Sequence, residues 1–337
     1  MSRYSELHKN PQGENDARPS ALKIVEDENL LGKLGDKTFL VTGCSSGIGI
    51  ETARALHATG ADVYFTTRDA AKGAKVLEEI RSTSSGSGEL HHLELELAHL
   101  QSVREAAASF LEQSRRLNAI IFNAGVMACP EGKTKDGFET QLGVNHLAHF
   151  LLFQLLKPTL LASSTPEFNS RVVAVSSSGH RGGSVQFDDL NFENGYNKWK
   201  AYAQSKTAMI WTANEIERRF GSKGLHGLSL NPGGIWTPLQ RHTPELKEQY
   251  GSVAQVQAYM KSPEQGAATS VYAALSKDWE GRGGKYLEDC DESPKYEGSD
   301  AASIGWVPHA FDAANAKKLY DLSLKLVGLP PEVESES

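Results

Sequence analysis

Two tyrosine–lysine pairs lie almost end to end in this sequence, Tyr196 with Lys200 and Tyr202 with Lys206. Residues four apart share one face of a helix. An ammonium beside a phenol stabilises the phenolate, so the tyrosine pKa falls and its proton is easier to deliver near neutral pH. The pairs differ in context. Tyr196 follows Asn194-Gly195 among polar residues, a turn setting. Tyr202 opens a stripe of helical period through Lys206, Met209, Ala213, Ile216 and Phe220. A lysine on an apolar face asks for a function; the bland alternative is a side chain snorkelling from a helix edge. Two apolar runs also end in polar groups: Val172–Val175 in Ser176-Ser177-Ser178, and the run before Asn123-Ala124-Gly125. Parallel sheets hold their reacting groups at strand carboxyl ends, although a serine there is equally a turn or helix cap.

The stretch Thr42-Gly43-Cys44-Ser45-Ser46-Gly47-Ile48-Gly49 reads two ways. Its middle is G-x-S-x-G, the nucleophile elbow of a serine hydrolase with Ser45 as nucleophile. The whole stretch is also a glycine-rich turn opening a helix, whose free N–H groups suit a pyrophosphate. In that reading Gly43 permits the tight turn, Gly47 the close approach of a ligand, and Gly49 the packing of helix on strand. The hydrolase reading needs an oxyanion-hole motif upstream. The residues before Gly43 contain neither that motif nor a strand series.

The elements that must carry these groups alternate from Lys37 onward. Strands are expected at 37–42, 62–67, 90–97, 118–123, 171–176, 225–231 and 284–287, and helices at 47–60, 69–81, 100–117, 135–161, 198–220 and 263–276. This alternation predicts an α/β fold, a Rossmann-type doubly wound parallel sheet of about seven strands with helices on both faces. Residues 1–36 read as an N-terminal arm with helix-like pieces near Ala21–Leu31. Residues 37–290 form the main domain, including a lid around 238–262. Residues 291–337 form a C-terminal extension with one helix and a disordered tail.

Composition excludes several classes. The net charge of −7 argues against a general nucleic-acid binder. The three cysteines are scattered and form no C-x-x-C pair, so neither a disulfide framework nor a cysteine zinc site is expected. A reducing, cytoplasmic setting fits. The polar N-terminus carries no signal-peptide core, and the run Leu147–Leu161 is too short and polar to span a bilayer. His146 and His149 have ligand-like spacing but no third partner, and read as packing or polar contacts.

Together, TGCSSGIG, NAG at 123–125, Asn145 in NHLAHF, the Ser177 strand end, YAQSK at 202–206 and NPGGIWT at 231–237 resemble the short-chain dehydrogenase/reductase family. The likeness spans roughly 37–289. Within the family it is most similar to the retinol-dehydrogenase and WW-domain-oxidoreductase branch and its fungal relatives. The resemblance implies an oxidoreductase (EC 1.1.1.-) that moves a hydride between nicotinamide and a ketone, aldehyde or secondary alcohol, an apolar or aromatic small molecule. It implies Tyr202 as proton donor, Lys206 as the group that lowers its pKa, Ser177 as carbonyl orienter, and Asn145 as holder of a relay water. Cofactor contacts are expected from Gly43, Ser45, Ser46, Gly47, Ile48, Gly49, Arg68, Glu96, Leu97, Asn123, Ala124, Gly125, Tyr202, Lys206, Pro232, Gly233, Ile235 and Thr237, with no metal. Phe187, Tyr196, Trp199 and Trp236 are candidates for the substrate wall, and Met209 for reshaping it. The cofactor expected is NADP(H), with NAD(H) as the alternative, because Arg68 follows the second strand where a carboxylate would favour NAD. A monomer or homodimer is expected. The competing classes are a dinucleotide-binding regulator without turnover and the Ser45 hydrolase.

Replacement of Ser45 by alanine discriminates the last of these. The turn uses backbone N–H groups, so Ser45→Ala keeps most turnover, whereas Gly47→Val weakens cofactor binding sharply. Complete loss of activity in Ser45→Ala, with folding and cofactor affinity intact, would reverse the assignment.

Overall fold

The computed structural model describes residues 2–298 and 304–332. Its centre is an eight-stranded sheet in the order β3-β2-β1-β4-β5-β6-β7-β8. The strands are β1 Thr38–Val41, β2 Asp62–Thr67, β3 Leu90–Glu94, β4 Ala119–Phe122, β5 Ser170–Val175, β6 Leu225–Asn231, β7 Lys285–Glu288 and β8 Asp291–Glu292. The first seven pair in parallel. The two-residue β8 runs antiparallel on β7 and is one strand more than the sequence pattern predicts.

The strands are parallel and central because both faces are apolar. Phe39, Val41, Val63, Phe65, Ile121 and Val173 point into one core cluster. Their neighbours Leu40, Tyr64, Ile120, Phe122, Val172 and Ala174 point into the other. The order reverses between β1 and β4, which opens a crevice at their carboxyl ends.

Two helices bring the chemistry to that crevice. The helix Lys198–Phe220 starts where the Asn197 side chain accepts from the N–H groups of Trp199 and Lys200. The other differs from expectation. It begins at Thr140 rather than Lys135, because Glu139 caps it and Lys133–Gly137 is a turn. It then passes through a π-helical turn, Gly143–Leu147, before continuing as Ala148–Ser163. Asn145 sits in that turn, a geometry common at functional positions.

The C-terminal helix Ala313–Leu326 lies along Lys198–Phe220, with Ala316 and Leu319 packed among Ala208 and Trp211. Phe187 stacks on Trp211. Of the tail expected to be disordered, Glu332 accepts a hydrogen bond from Tyr320, and residues 333–337 lie outside the described residues. Met209 is buried in the second core cluster, away from the cavity wall. Among the described residues no helix is long and apolar enough to cross a membrane.

Three of the buried histidines, His146, His149 and His180, lie deepest. Burial lowers the pKa of His146 to about 3 and those of His149 and His180 to about 4. Their folded values lie below the unfolded value, so the unfolded chain binds more protons in between, and stability falls with acidification. The expected loss runs from about pH 6.5 down to about pH 4, at up to ~1.4 kcal/mol per pH unit for each histidine. Urea unfolding across that range measures it. His146→Asn, which cannot titrate there, should flatten the slope, and equal slopes in variant and parent would contradict the neutral assignment.

Candidate active site

The cavity at the carboxyl ends of the strands measures about 1310 Å³. That exceeds the usual range for one small ligand, about 300–1,000 Å³, and suits two ligands side by side. Its wall begins at the glycine-rich turn. Gly43 and Gly47 have φ of 75° and 69°, in the left-handed region. A Cβ on Gly43 would stand 2.6 Å from the Ala124 Cα, and one on Gly49 2.5 Å from Asn123 Nδ2. Ser45, Ser46, Gly47 and Ile48 therefore form a bare rim at the start of the helix Ile48–Ala58. The first four N–H groups of a helix have no intrahelical partner, and this end attracts anions. Gly49 lies behind the rim as a packing residue. Among the described residues no histidine or carboxylate hydrogen-bonds the Ser45 hydroxyl, as a hydrolase would require. The bare rim and its donors fit a dinucleotide pyrophosphate.

Thr42 ties this turn to the Asn123 strand end. Its Oγ1 accepts from the N–H groups of Asn123 and Ala124 at 3.0 and 3.1 Å and lies 2.9 Å from His149 Nε2. His149 Nδ1 lies 2.9 Å from the Asn145 carbonyl and must donate to it. His149 is thus the Nδ1–H tautomer, and its Nε2 accepts from Thr42. His146 also makes polar contacts, its Nε2 lying 2.8 Å from Ser323 Oγ and its Nδ1 3.2 Å from Thr212 Oγ1.

Asn145 is fully buried and does not line the cavity. Its side chain exchanges hydrogen bonds with the Val126 backbone at 2.8 and 2.9 Å and donates to Ser205 Oγ at 2.9 Å. Here the side chain holds the loop after β4; Gly125 lets it come close, since a Cβ there would lie 3.2 Å from Asn145 Oδ1.

Ser177, Tyr202 and Lys206 line one end of the cavity together. Lys206 Nζ donates to the Val175 carbonyl at 2.9 Å and lies 5.6 Å from the Tyr202 ring centre. Gly179 makes room for that ring, because a Cβ would stand 2.7 Å from Tyr202 Cε1. The lowered tyrosine pKa expected from the i,i+4 spacing is not found in this site. Burial pushes Tyr202 up to about 12, opposed by the neighbouring Ser177 hydroxyl, and burial pulls Lys206 down to about 8. Desolvation is the leading cause for both groups. The other pair separates: Tyr196 donates to the Cys129 carbonyl at 2.9 Å and accepts from Gln141, which makes it a structural strut.

Arg68, Glu96 and Leu97 line the far end, and Pro232, Gly233, Ile235 and Thr237 the near side. Asp69 turns away and caps the helix Ala70–Thr83 by accepting from Lys72 N–H at 2.8 Å. Of the four aromatic candidates, Trp199 and Trp236 reach the cavity, while Phe187 and Tyr196 are spent on packing and struts. Within the segment read as a lid, Leu246, Tyr250, Val256, Tyr259 and Met260 line the cavity, and Met127, in the loop after β4, joins them without having been anticipated. The helices of the lid, Pro244–Tyr250 and Ala254–Tyr259, are too short for periodicity to single out which of their residues face the cavity.

A family model described as short chain dehydrogenase matches residues 37–248. The chain is 54% identical over 328 residues to the short-chain dehydrogenase/reductase prx1 of Penicillium roqueforti, covering 97% of this chain and 95% of that protein. It is 40% identical to human retinol dehydrogenase 14, covering 88% of each. A solved structure from Mycobacterium paratuberculosis superposes with a TM-score of 0.68 at 30% identity, over 91% of this chain and 98% of that one.

The two tyrosines predict opposite outcomes. Tyr202→Phe keeps the ring and removes the proton, so turnover should fall on the order of 10²–10⁴-fold with dinucleotide affinity kept. Tyr196→Phe should keep turnover and cost about 0.5–1.5 kcal/mol of stability. Steady-state kinetics and urea unfolding on both variants check this; the reverse pattern would show that the wrong pair was chosen.

Proposed function

This chain belongs to the short-chain dehydrogenase/reductase family, a family of dinucleotide-dependent oxidoreductases, and from that premise we propose that it interconverts a ketone or aldehyde and its alcohol with a preference for NADP(H). The observation that carries the reading is the meeting of Ser177, Tyr202 and Lys206 in the same cavity as the glycine-rich rim. The nicotinamide supplies the hydride when bound. Tyr202 holds the proton that the substrate oxygen receives in reduction, and its high pKa keeps the phenol protonated until that step. Ser177 steers the same oxygen by a hydrogen bond. Lys206 adds positive charge beside the phenol, and this charge fades as pH rises through about 8. The substrate is apolar or aromatic, since Trp199, Trp236, Tyr250 and Met260 line the same cavity as Tyr202. Buried free thiols at Cys44, Cys129 and Cys290 accord with a reducing, cytoplasmic setting.

The cofactor preference rests on the end of β2. Thr67 is neutral there, and its hydroxyl is taken by the Asp69 carbonyl and His92. With Asp69 committed to its helix cap, Arg68 is the group left to face the ribose, 70% exposed. Its near neighbour is Glu96, at 3.8 Å. An exposed pair at that distance is weak, and a 2′-phosphate offers Arg68 a stronger, bidentate partner.

A charge-assisted bond of roughly 1.5–3 kcal/mol implies on the order of ten- to a hundred-fold selectivity for NADPH over NADH. Arg68→Ala should erase most of it and leave NADH kinetics nearly unchanged, while Glu96→Gln should sharpen it. Equal kcat/KM for the two cofactors in the parent enzyme, or a higher value with NADH, would sink the assignment.

A further inference from the structure

The segment Ala254–Met260 contributes Gln255, Val256, Tyr259 and Met260 to the cavity wall. It is a short helix, Ala254–Tyr259, followed by an extended residue. A helix of this length leaves most of its carbonyls without intrahelical partners, and it is too short to be stable alone. Something else must hold it, and the holder comes from the other end of the chain.

Arg18 is buried, 5% exposed. Its Nη1 donates to the Tyr259 carbonyl at 2.8 Å. Its Nη2 donates to the Met260 carbonyl at 2.7 Å and the Gly13 carbonyl at 3.0 Å, and reaches the Ala258 carbonyl at 3.4 Å. Its Nε donates to Asp16 at 2.8 Å. One guanidinium thus gathers three consecutive carbonyls at a helix C-terminus, where a cation is also favoured by the helix dipole. The arm adds backbone contacts of its own. Gly13 N–H donates to the Ala258 carbonyl at 2.9 Å, and at its φ of +104° a Cβ would crowd the Gln257 carbonyl at 3.2 Å. Gln265 closes the far side, accepting from Asn15 N–H and donating to the Arg18 carbonyl.

The clasped segment also supports the turn beside the cofactor rim. Lys261 N–H donates to the Gly234 carbonyl at 2.8 Å, and Lys261 Nζ is held by Asp289 at 2.7 Å and lies 3.4 Å from the Pro232 carbonyl. Tyr259 and Met260 themselves press on Gly234, where a Cβ would stand 2.6 Å from the Tyr259 ring and 2.9 Å from the Met260 sulfur. The Asp289 carboxylate is met in turn by His8 of the arm at 3.1 Å. Both halves of the clasp, the arm and residues 258–260, lie outside the matched family region of residues 37–248.

We propose that Arg18 is a positioning residue for the substrate: through the carbonyls of 258–260 it fixes the Tyr259 and Met260 side chains that line the cavity, and so sets substrate fit without touching the chemistry. The proposal rests on the oxidoreductase reading for its kinetic part and stands apart from it for its structural part. Arg18→Lys keeps the charge but lacks the planar fork that reaches several carbonyls at once. In this variant, hydrogen exchange of the amides in 254–262 should accelerate about tenfold or more with the core strands unchanged. KM for the carbonyl substrate should rise by a similar factor, while kcat at saturation and the dissociation constant for NADPH stay within about twofold of the parent. Arg18→Gln should show the same pattern more strongly; if it fails to fold, the lysine variant alone decides. Unchanged exchange in 254–262 overturns the clasp, whether or not any substrate is turned over. Faster exchange with unchanged KM, or an equal loss in kcat and NADPH affinity, overturns the role in substrate fit.

Discussion

One hydroxyl holds the cofactor side of this protein together. Thr42 Oγ1, at the end of the first strand, accepts from two successive N–H groups at the end of the fourth and donates to a histidine of the neighbouring helix. A buried hydroxyl has one proton and two lone pairs, and here all three are used. That fixes the glycine-rich turn against Asn123-Ala124-Gly125 and, through His149, against the backbone of Asn145. Removing any member leaves a buried polar group unpaired, which costs more than the lost bond. The close approach of Gly43 to Ala124 follows from this arrangement, and the bare rim of N–H groups follows from that approach.

At the other end of the cavity the controlling effect is desolvation. Tyr202 and Lys206 share a helix face as the spacing requires, yet the low-dielectric interior moves both away from their charged forms. The phenol and the amine are therefore sensitive to any charge brought beside them, because the interior that penalises an isolated charge also strengthens its interaction with a partner.

Much of this was legible in the sequence. Central parallel strands are apolar on both faces, so β1, β4 and β5 stand out as short hydrophobic runs bounded by polar residues and glycines. The meeting of Tyr202, Lys206 and Ser177 in one cavity was legible because they sit where strand and helix periodicity already place them. What escaped had no period to read. β8 is two residues long. The helix at Thr140 starts late because Glu139 bonds two N–H groups that a hydrophobic pattern cannot reveal. Glu96 and Arg68 are neighbours across two strands, and no local rule pairs them. The shift of Tyr202 depends on how deeply its ring is buried, which spacing along a helix does not fix. Arg18 lay in a polar arm that looked like surface, and only the three-dimensional return of residues 258–260 gives it a reason to be inside.

That return has a consequence for how the chain is made. Arg18 and its carbonyl partner at Met260 are separated by 242 positions. At about 5–20 residues per second during synthesis, the arm waits on the order of ten to fifty seconds after it emerges before its binding site exists. The arm can therefore close only as a late event, after the sheet up to β6 has been synthesised, and its sequence must remain soluble while it waits. Its polar, proline- and glycine-bearing composition, with one arginine reserved for an interior not yet built, is what such a delay requires.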